Sequence, residues 1–320
     1  MTARWTYTKG LANLGNGLHA WLQPDGGWGW SNAGFISDGE QCLLVDTLFD
    51  MHLTRDMLGA IEDATGFGPD AIGTIVNTHA NGDHTHGNGC CQRAEIIASE
   101  ASAKEMEAVN AALLAQMKQM APQLGPAGAY FADVFAPFDF AGVEERAPTR
   151  VFSGTLELTV GDKAVTLIEV GPAHTAGDVL VHVPEDRTVF TGDILFIDGT
   201  PLMWAGPVAN WIAACEKIYA MDVDVIVPGH GPITDRAGVR RVAEYLAYVD
   251  IEARKRFDAG LEVREAIRDI ALGDYASWGD AERIAVNVDS LYREYRGDGI
   301  QTPVVELFAL MADARAARNA

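Results

Sequence analysis

Apolar positions recur along this chain in two rhythms. Short apolar or alternating runs at positions 18–22, 33–37 and 41–46, separated by Gly, Pro, Asn and Asp, predict the strands of a meander or hairpin. Leu53, Met57, Leu58 and Ile61 lie at helical spacing within positions 50–66, a segment closed by Gly66, and the β-branched run at 71–77 suits a buried strand. Positions 102–120 are rich in Ala and Met. With Ser102 three residues before Glu105 as a capping box, they predict one long helix. Strands return at 156–160, 165–170, 179–183 and 188–191. A helix at 208–220, a strand at 223–227 and helices at 235–257, 263–271, 279–295 and 303–318 complete the chain. Two β-rich halves, each followed by helices, predict an α+β fold in which a sandwich of sheets is covered outside by helices.

Two segments fall outside this rhythm. Pro24-Asp25-Gly26-Gly27-Trp28-Gly29-Trp30 combines backbone freedom with large apolar side chains and reads as a mobile flap that brings Trp28 and Trp30 over a substrate. Phe131, Phe135, Phe138 and Phe140 are irregularly spaced, a pattern that favours core filling over a binding stripe. Met203-Trp204 is read the same way, with Trp204 kept as a candidate substrate contact.

Composition narrows the class. A chain of 320 residues with 48% apolar and 22% charged positions has the make-up of a globular protein with one or two cores. Its 24 Lys plus Arg stand against 45 Asp plus Glu, and a formal charge of -21 repels phosphate backbones and anionic membrane surfaces. Neither nucleic acid nor membrane is expected as a partner, and a small-molecule substrate is. The start MTARWTYTKG has no signal-like apolar run, and no stretch approaches the roughly twenty apolar residues that span a bilayer, so a cytoplasmic location is expected. Cys42, Cys90, Cys91 and Cys215 form no CxxC pair and read as reduced thiols.

The candidate chemistry sits where strands end. The run at 71–77 leads into Thr78-His79-Ala80-Asn81-Gly82-Asp83-His84-Thr85-His86, three of the chain's eight histidines with an aspartate among them. Three later strand-like runs end in Pro172-Ala173-His174, Thr191-Gly192-Asp193 and Pro228-Gly229-His230. Imidazole and carboxylate together form the usual ligand set for zinc or iron. His86 lies just past this core, where bonding to nearby backbone is at least as good an account as chemistry. His19, His52 and His182 lie in no ligand-like context.

The ordered set His79, Asp83-His84, His174, Asp193 and His230 resembles the metallo-β-lactamase superfamily of hydrolases over roughly positions 10–235. The resemblance implies an αββα sandwich with its metal site at one edge of the sheets. It implies a catalytic domain over 1–235 and a helical C-terminal extension over 236–320 packed on the same domain. Residue by residue, it makes His79 and His174 ligands of a first site, Asp83, His84 and His230 ligands of a second, and Asp193 the bridge, with Asp46 supporting the metal loop. One position departs: Asn81 stands where the family motif has its second histidine, and an amide oxygen is a much weaker zinc ligand than imidazole. One or two zinc ions per chain are therefore expected, with the second site favoured and iron as the alternative metal.

The expected activity is hydrolysis by a zinc-bound hydroxide of a small apolar or aromatic ester, lactone, thioester, amide or activated carbon-halogen bond. In this reading Asp83 or Asp193 takes the water proton and His79, His86 or His174 protonates the leaving group. Trp28, Trp30, Asn81 and Trp204 contact substrate. An iron oxygenase of the same fold and a non-catalytic metal-binding module are the competing classes, and a homodimer is an open expectation.

Overall fold

The structure is a computed structural model that describes residues 5–108 and 110–318. The chain opens with β1 (Gly10–Gly15), β2 (Leu18–Leu22), β3 (Ala33–Asp38) and β4 (Gln41–Val45), followed by α1 (Met51–Thr65) and β5 (Thr74–Val76). A single turn, α2 (Gly82–Thr85), precedes β6 (Glu95–Ser99), α3 (Glu100–Met106), α4 (Ala111–Met120), α5 (Gly125–Val134) and β7 (Arg150–Phe152). The second half holds β8 (Thr155–Val160), β9 (Lys163–Glu169), β10 (Val179–Val183), β11 (Thr188–Phe190), α6 (Val208–Ala220) and β12 (Val225–Val227). It closes with α7 (Arg236–Asp258), α8 (Val263–Asp269), α9 (Ile284–Arg296) and α10 (Val304–Arg318).

The strands form two sheets. The first has the order β1-β2-β3-β4-β5-β6-β7, antiparallel up to β4 and parallel from there to β7. The second has the order β12-β11-β10-β9-β8, parallel only between β11 and β12. The period-two pattern explains the layering. Val179, Val181 and Val183 of β10 face the first sheet, where Ile36, Val45 and Val76 meet them, while Leu180 points the other way into the helices. Gly34 marks how close the sheets come, because a Cβ there would lie 2.4 Å from the Phe190 ring. Outside the first sheet, Met57, Leu58 and Ile61 of α1 cover Leu44 and Ile75. Outside the second, Trp211 and Ile218 of α6 and Tyr245 and Leu246 of α7 cover Val189 and Ile226. The predicted α+β sandwich with helices on both outer faces is the observed αββα architecture.

Helices α7 to α10 share one continuous core with the second sheet; Leu291, Phe308 and Met311 belong to it. No helix among the described residues is long and apolar enough to cross a membrane. The four cysteines are free; burial pushes the Cys42 thiol up to about 11, which leaves it protonated and unreactive at neutral pH.

Three expectations need correction. The predicted helix 102–120 is two helices. Ser99 caps α3 by accepting from Ser102 N, and Asn110 caps α4 by accepting from Leu113 N, so the capping residue is not Ser102. The segment 24–30 is fastened rather than free: Trp28 is buried, donates from Nε1 to Tyr130 Oη at 3.1 Å and meets the Phe135 ring edge-on at 5.6 Å. Pattern reading also passed over β1, β6, β7 and α5, most of them short or amphipathic only weakly. Phe131, Phe135, Phe138 and Phe140 are buried together, as their spacing suggested.

Candidate metal centre

The edge where β4, β5, β11 and β12 end gathers every strand-end residue singled out above. His79 leaves β5 by a short loop, Asp83 and His84 ride on α2, His174 follows β9, Asp193 follows β11 and His230 follows β12. Parallel strands end side by side, so residues distant in sequence converge at one edge.

Asp46 fixes the arrangement from behind. It ends β4 in the left-handed backbone region, φ 63°, a conformation Asp tolerates better than most residues. Its buried carboxylate accepts from Thr78 N at 2.7 Å, from Thr78 Oγ1 at 2.7 Å and from His84 Nδ1 at 2.9 Å. The Thr78 proton being spent on Asp46, Thr78 Oγ1 accepts from His79 Nδ1 at 3.0 Å. His174 Nδ1 donates to the Leu202 carbonyl. Each outer bond sets a tautomer, so Nε2 of His79, His84 and His174 presents a lone pair to the interior, the arrangement of metal-ligating histidines.

The inner atoms converge on space rather than on each other. Asp193 Oδ1 lies 3.1 Å from His84 Nε2, and Oδ2 lies 3.4 Å from both His174 Nε2 and His230 Nε2 and 3.8 Å from His79 Nε2. Asp83 Oδ2 is 3.2 Å from His230 Nε2. Yet His79 Nε2, His84 Nε2 and Asp193 Oδ1 are buried with no aligned hydrogen-bond partner. Orphaned buried ligand atoms are costly unless something sits between them, and a divalent cation fits this donor set. Two groups can close round an ion among the described residues: His79, His84 and Asp193, and Asp83, His84 and His230.

Charges follow the same geometry in the metal-free chain. Burial alone would depress His84, but Asp193, Asp46 and Asp83 hold it well above the usual imidazole range. Burial likewise works against His230, and Asp193 and Asp83 outweigh it, pushing it up to about 9. Burial and the His84 charge hold His79 well below the ordinary value, and burial takes His174 down to about 4. Burial opposes ionisation of Asp83, but His84 and His230 bring it down to about 2, and Asp193 lies well below the carboxylate range because His230, His84 and His79 offset its burial.

Residues without ligand character hold the loops, and sequence reading missed them. Asn32 Nδ2 donates to Pro228 O and Gly231 O at 3.0 and 2.8 Å, clasping the His230 turn. Ser31 Oγ donates to Asp83 O at 2.5 Å, and Asn77 Nδ2 donates to His84 O at 3.0 Å. Ser99 and Ser102 both donate to Gly177 O, and Glu105 Oε2 accepts from Ala176 N, which secures the His174 loop. Gly229 is required by contact: a Cβ there would lie 1.9 Å from Asp193 Oδ1. No local signal marks these residues, except glycine beside a ligand histidine.

The four substrate candidates separate. Trp28 is buried in the aromatic core, while Trp30, Asn81 and Trp204 are half-buried. Trp204 N and Ala205 N both donate to His174 O, and Asn81 Nδ2 lies 2.9 Å from His174 Nε2, so Asn81 and Trp204 flank His174. His86 is buried and donates from Nδ1 to Phe49 O at 3.3 Å, a structural bond. Solvent reaches the centre mainly past Asp83 and His230, whose side chains are 12% and 10% exposed.

The family model described as the metallo-beta-lactamase superfamily matches residues 26–230. Among curated proteins, a beta-lactamase-like protein 2 homolog of Caenorhabditis elegans is 28% identical over 157 residues, covering 48% of this chain and 52% of that one. A linear primary-alkylsulfatase of Pseudomonas sp. is 22% identical over 264 residues, 74% of this chain and 49% of that one. A hydroxyacylglutathione hydrolase of Brucella ovis is 36% identical over 75 residues, 23% of this chain and 29% of that one. The chain thus spans about half the length, or less, of the curated relatives it matches. Among solved structures, the sec-alkylsulfatase Pisa1 from Pseudomonas sp. superposes with a TM-score of 0.66 at 15% identity, covering 92% of this chain and 52% of that one. A metallo-beta-lactamase from Pontibacter korlensis gives 0.55 at 17% identity, covering 75% and 99%.

Proposed function

The chain belongs to the metallo-beta-lactamase superfamily, and on that premise we propose that it is a zinc-dependent hydrolase of a small apolar or aromatic ester, lactone, thioester, amide or activated carbon-halogen bond. The observation that carries this reading is the pair of inward-facing, unpartnered ligand atoms on His84 and Asp193, with Asp83 and His230 beside them at the accessible edge. A divalent ion bound there supplies Lewis acidity and lowers the pKa of water, the two things hydrolysis at neutral pH needs.

The chain's own residues do the rest. Asp83 and Asp193, held ionised by the imidazoles around them, are the bases within the centre, and Asp83 is the one nearer solvent. His79 and His174 stay neutral at pH 7 and so add no standing charge to the centre. Asp46 and Thr78 hold His79 and His84 in orientation. Trp30 and Trp204, half-buried, offer apolar surface that favours a substrate with an aromatic or alkyl part. The relatives' names span a thioester-type and a sulfate-ester substrate, which widens the screen to alkyl sulfates.

The test is elemental analysis of protein purified without added metal, with a hydrolysis screen over aryl esters, lactones, thioesters, haloaromatics and alkyl sulfates. Stoichiometric zinc, turnover of at least one class, and loss of metal and of at least a hundredfold in rate in Asp193→Ala are expected. Stoichiometric iron with oxygen uptake, or no metal and no turnover, overturns the reading.

A further inference from the structure

His84 belongs to both groups of residues able to close round an ion, and its Nδ1 is committed to Asp46 at 2.9 Å. That leaves one lone pair, on Nε2, and one sp² nitrogen binds one ion. The two groups therefore exclude each other as they stand.

A second ion would need another imidazole on the His79 side, and His174 is the neighbour at hand. Its Nε2 is 3.4 Å from Asp193 Oδ2, yet His174 joins neither group. Its lone pair is already engaged. With Nδ1–H donating to Leu202 O, Nε2 is an acceptor, and Asn81 Nδ2 stands 2.9 Å from it as the donor. The opposite amide orientation would set two acceptors against each other, so this one is the bonded form. Asn81 is fixed at the start of α2, where its carbonyl accepts from His84 N and Thr85 Oγ1, so the amide is presented from rigid backbone.

Charge and access then choose between the two groups. Asp83, His84 and His230 have Asp193 within 3.1 to 3.4 Å of their nitrogens, giving two carboxylates to balance one dication. Asp83 and His230 also reach solvent, whereas His79 and His174 are sealed. From these contacts we propose that the Asn81 carboxamide closes the His79–His174 position from within by occupying the His174 lone pair, so that the chain holds a single ion on Asp83, His84, Asp193 and His230. This rests on the metal-hydrolase reading and adds to it the number and seat of the ion.

The test counts metal. Wild type, Asn81→His and Asn81→Leu are prepared metal-free and titrated with zinc, with bound metal measured by elemental analysis after desalting. Cobalt(II) is titrated in parallel, its visible absorption reporting ligand geometry. Wild type is expected to saturate at one equivalent. Asn81→His replaces the amide with an imidazole and is expected to take a second equivalent. Asn81→Leu removes the donor and frees the His174 lone pair beside His79 and Asp193, so it is expected to take a second equivalent more weakly than Asn81→His; saturation at one equivalent in Asn81→Leu would overturn the role given to Asn81. Two tight equivalents in wild type overturn the proposal and leave the hydrolase reading standing. One equivalent in Asn81→His, with an unchanged cobalt spectrum, overturns the role given to Asn81. No bound metal in wild type overturns both.

Discussion

Asp178 lies four residues beyond His174 with its carboxylate folded back on Thr175, accepting from Thr175 N at 3.0 Å and from Thr175 Oγ1 at 2.8 Å. Burial pushes its pKa up to about 7, further than those two bonds lower it. A raised carboxylate favours the fold while protonated, so this contribution is present below about pH 4 and is lost as pH rises through about 7. Asp178→Asn keeps an acceptor for both Thr175 donors and cannot ionise. Urea denaturation is expected to show it gaining on wild type by on the order of 2–4 kcal/mol at pH 8, and by much less at pH 4. An equal difference at both pH values would refute the burial account. At this scale the candidate ligand residues were legible: His79, Asp83, His84, His174, Asp193 and His230 are polar types at the ends of apolar runs, and the structure brings them together at one edge. Asn32, Ser99 and Ser102 were not, because their partners lie far along the chain; Gly177 is 78 positions from Ser99.

Elements were read well where a single periodicity ran unbroken, as in α6, α7 and β10. The segment 102–120 misled because helix-forming composition continues through a break. Asn110 caps the second helix there, and Glu145 Oε1, from a distant loop, accepts from Ala111 N. The loop holding Trp28 misled for a related reason: its glycines were read as freedom when at least one marks contact. A Cβ on Gly27 would lie 1.6 Å from Asp280 Oδ2. Trp28 is clamped between the Tyr130 hydroxyl, the Phe308 ring at 6.0 Å and the Arg283 guanidinium, 4.5 Å above its ring. Loop, α5 and α10 therefore form one packing unit. Trp28→Ala is expected to cost about 3–5 kcal/mol in urea denaturation, and Trp28→Phe, which keeps a ring but loses the bond to Tyr130, a smaller amount. A loss under about 1 kcal/mol in Trp28→Ala would mean the loop is detached in solution.

Over the whole molecule, the centre ties the two sheets together, so metal and folding stability are linked. Chelation is expected to lower Tm, and zinc to restore it, by an amount equivalent to about 4 kcal/mol when free zinc is a thousand times Kd. The sign with pH follows from His230, which in the metal-free chain holds its proton up to about 9, and from His84, held well above the usual imidazole range, since both must release a proton to bind an ion. Apparent zinc affinity is therefore expected to rise between about tenfold and about a hundredfold per pH unit from about 6.5 toward 9, for one or two protons released, read from the zinc-dependent Tm shift; a flat profile would mean that neither His84 nor His230 is a ligand. The sequence by itself determined the sandwich class, the family and six candidate ligand positions, because strand periodicity and ligand-type residues at strand ends are local patterns. The tertiary structure decided the rest. Burial of Trp28, the shared nitrogen of His84 and the engagement of His174 by Asn81 are relations between segments brought together only when the sheets close, and an imidazole lone pair or a buried ring has no meaning for function until its neighbour across that fold is fixed.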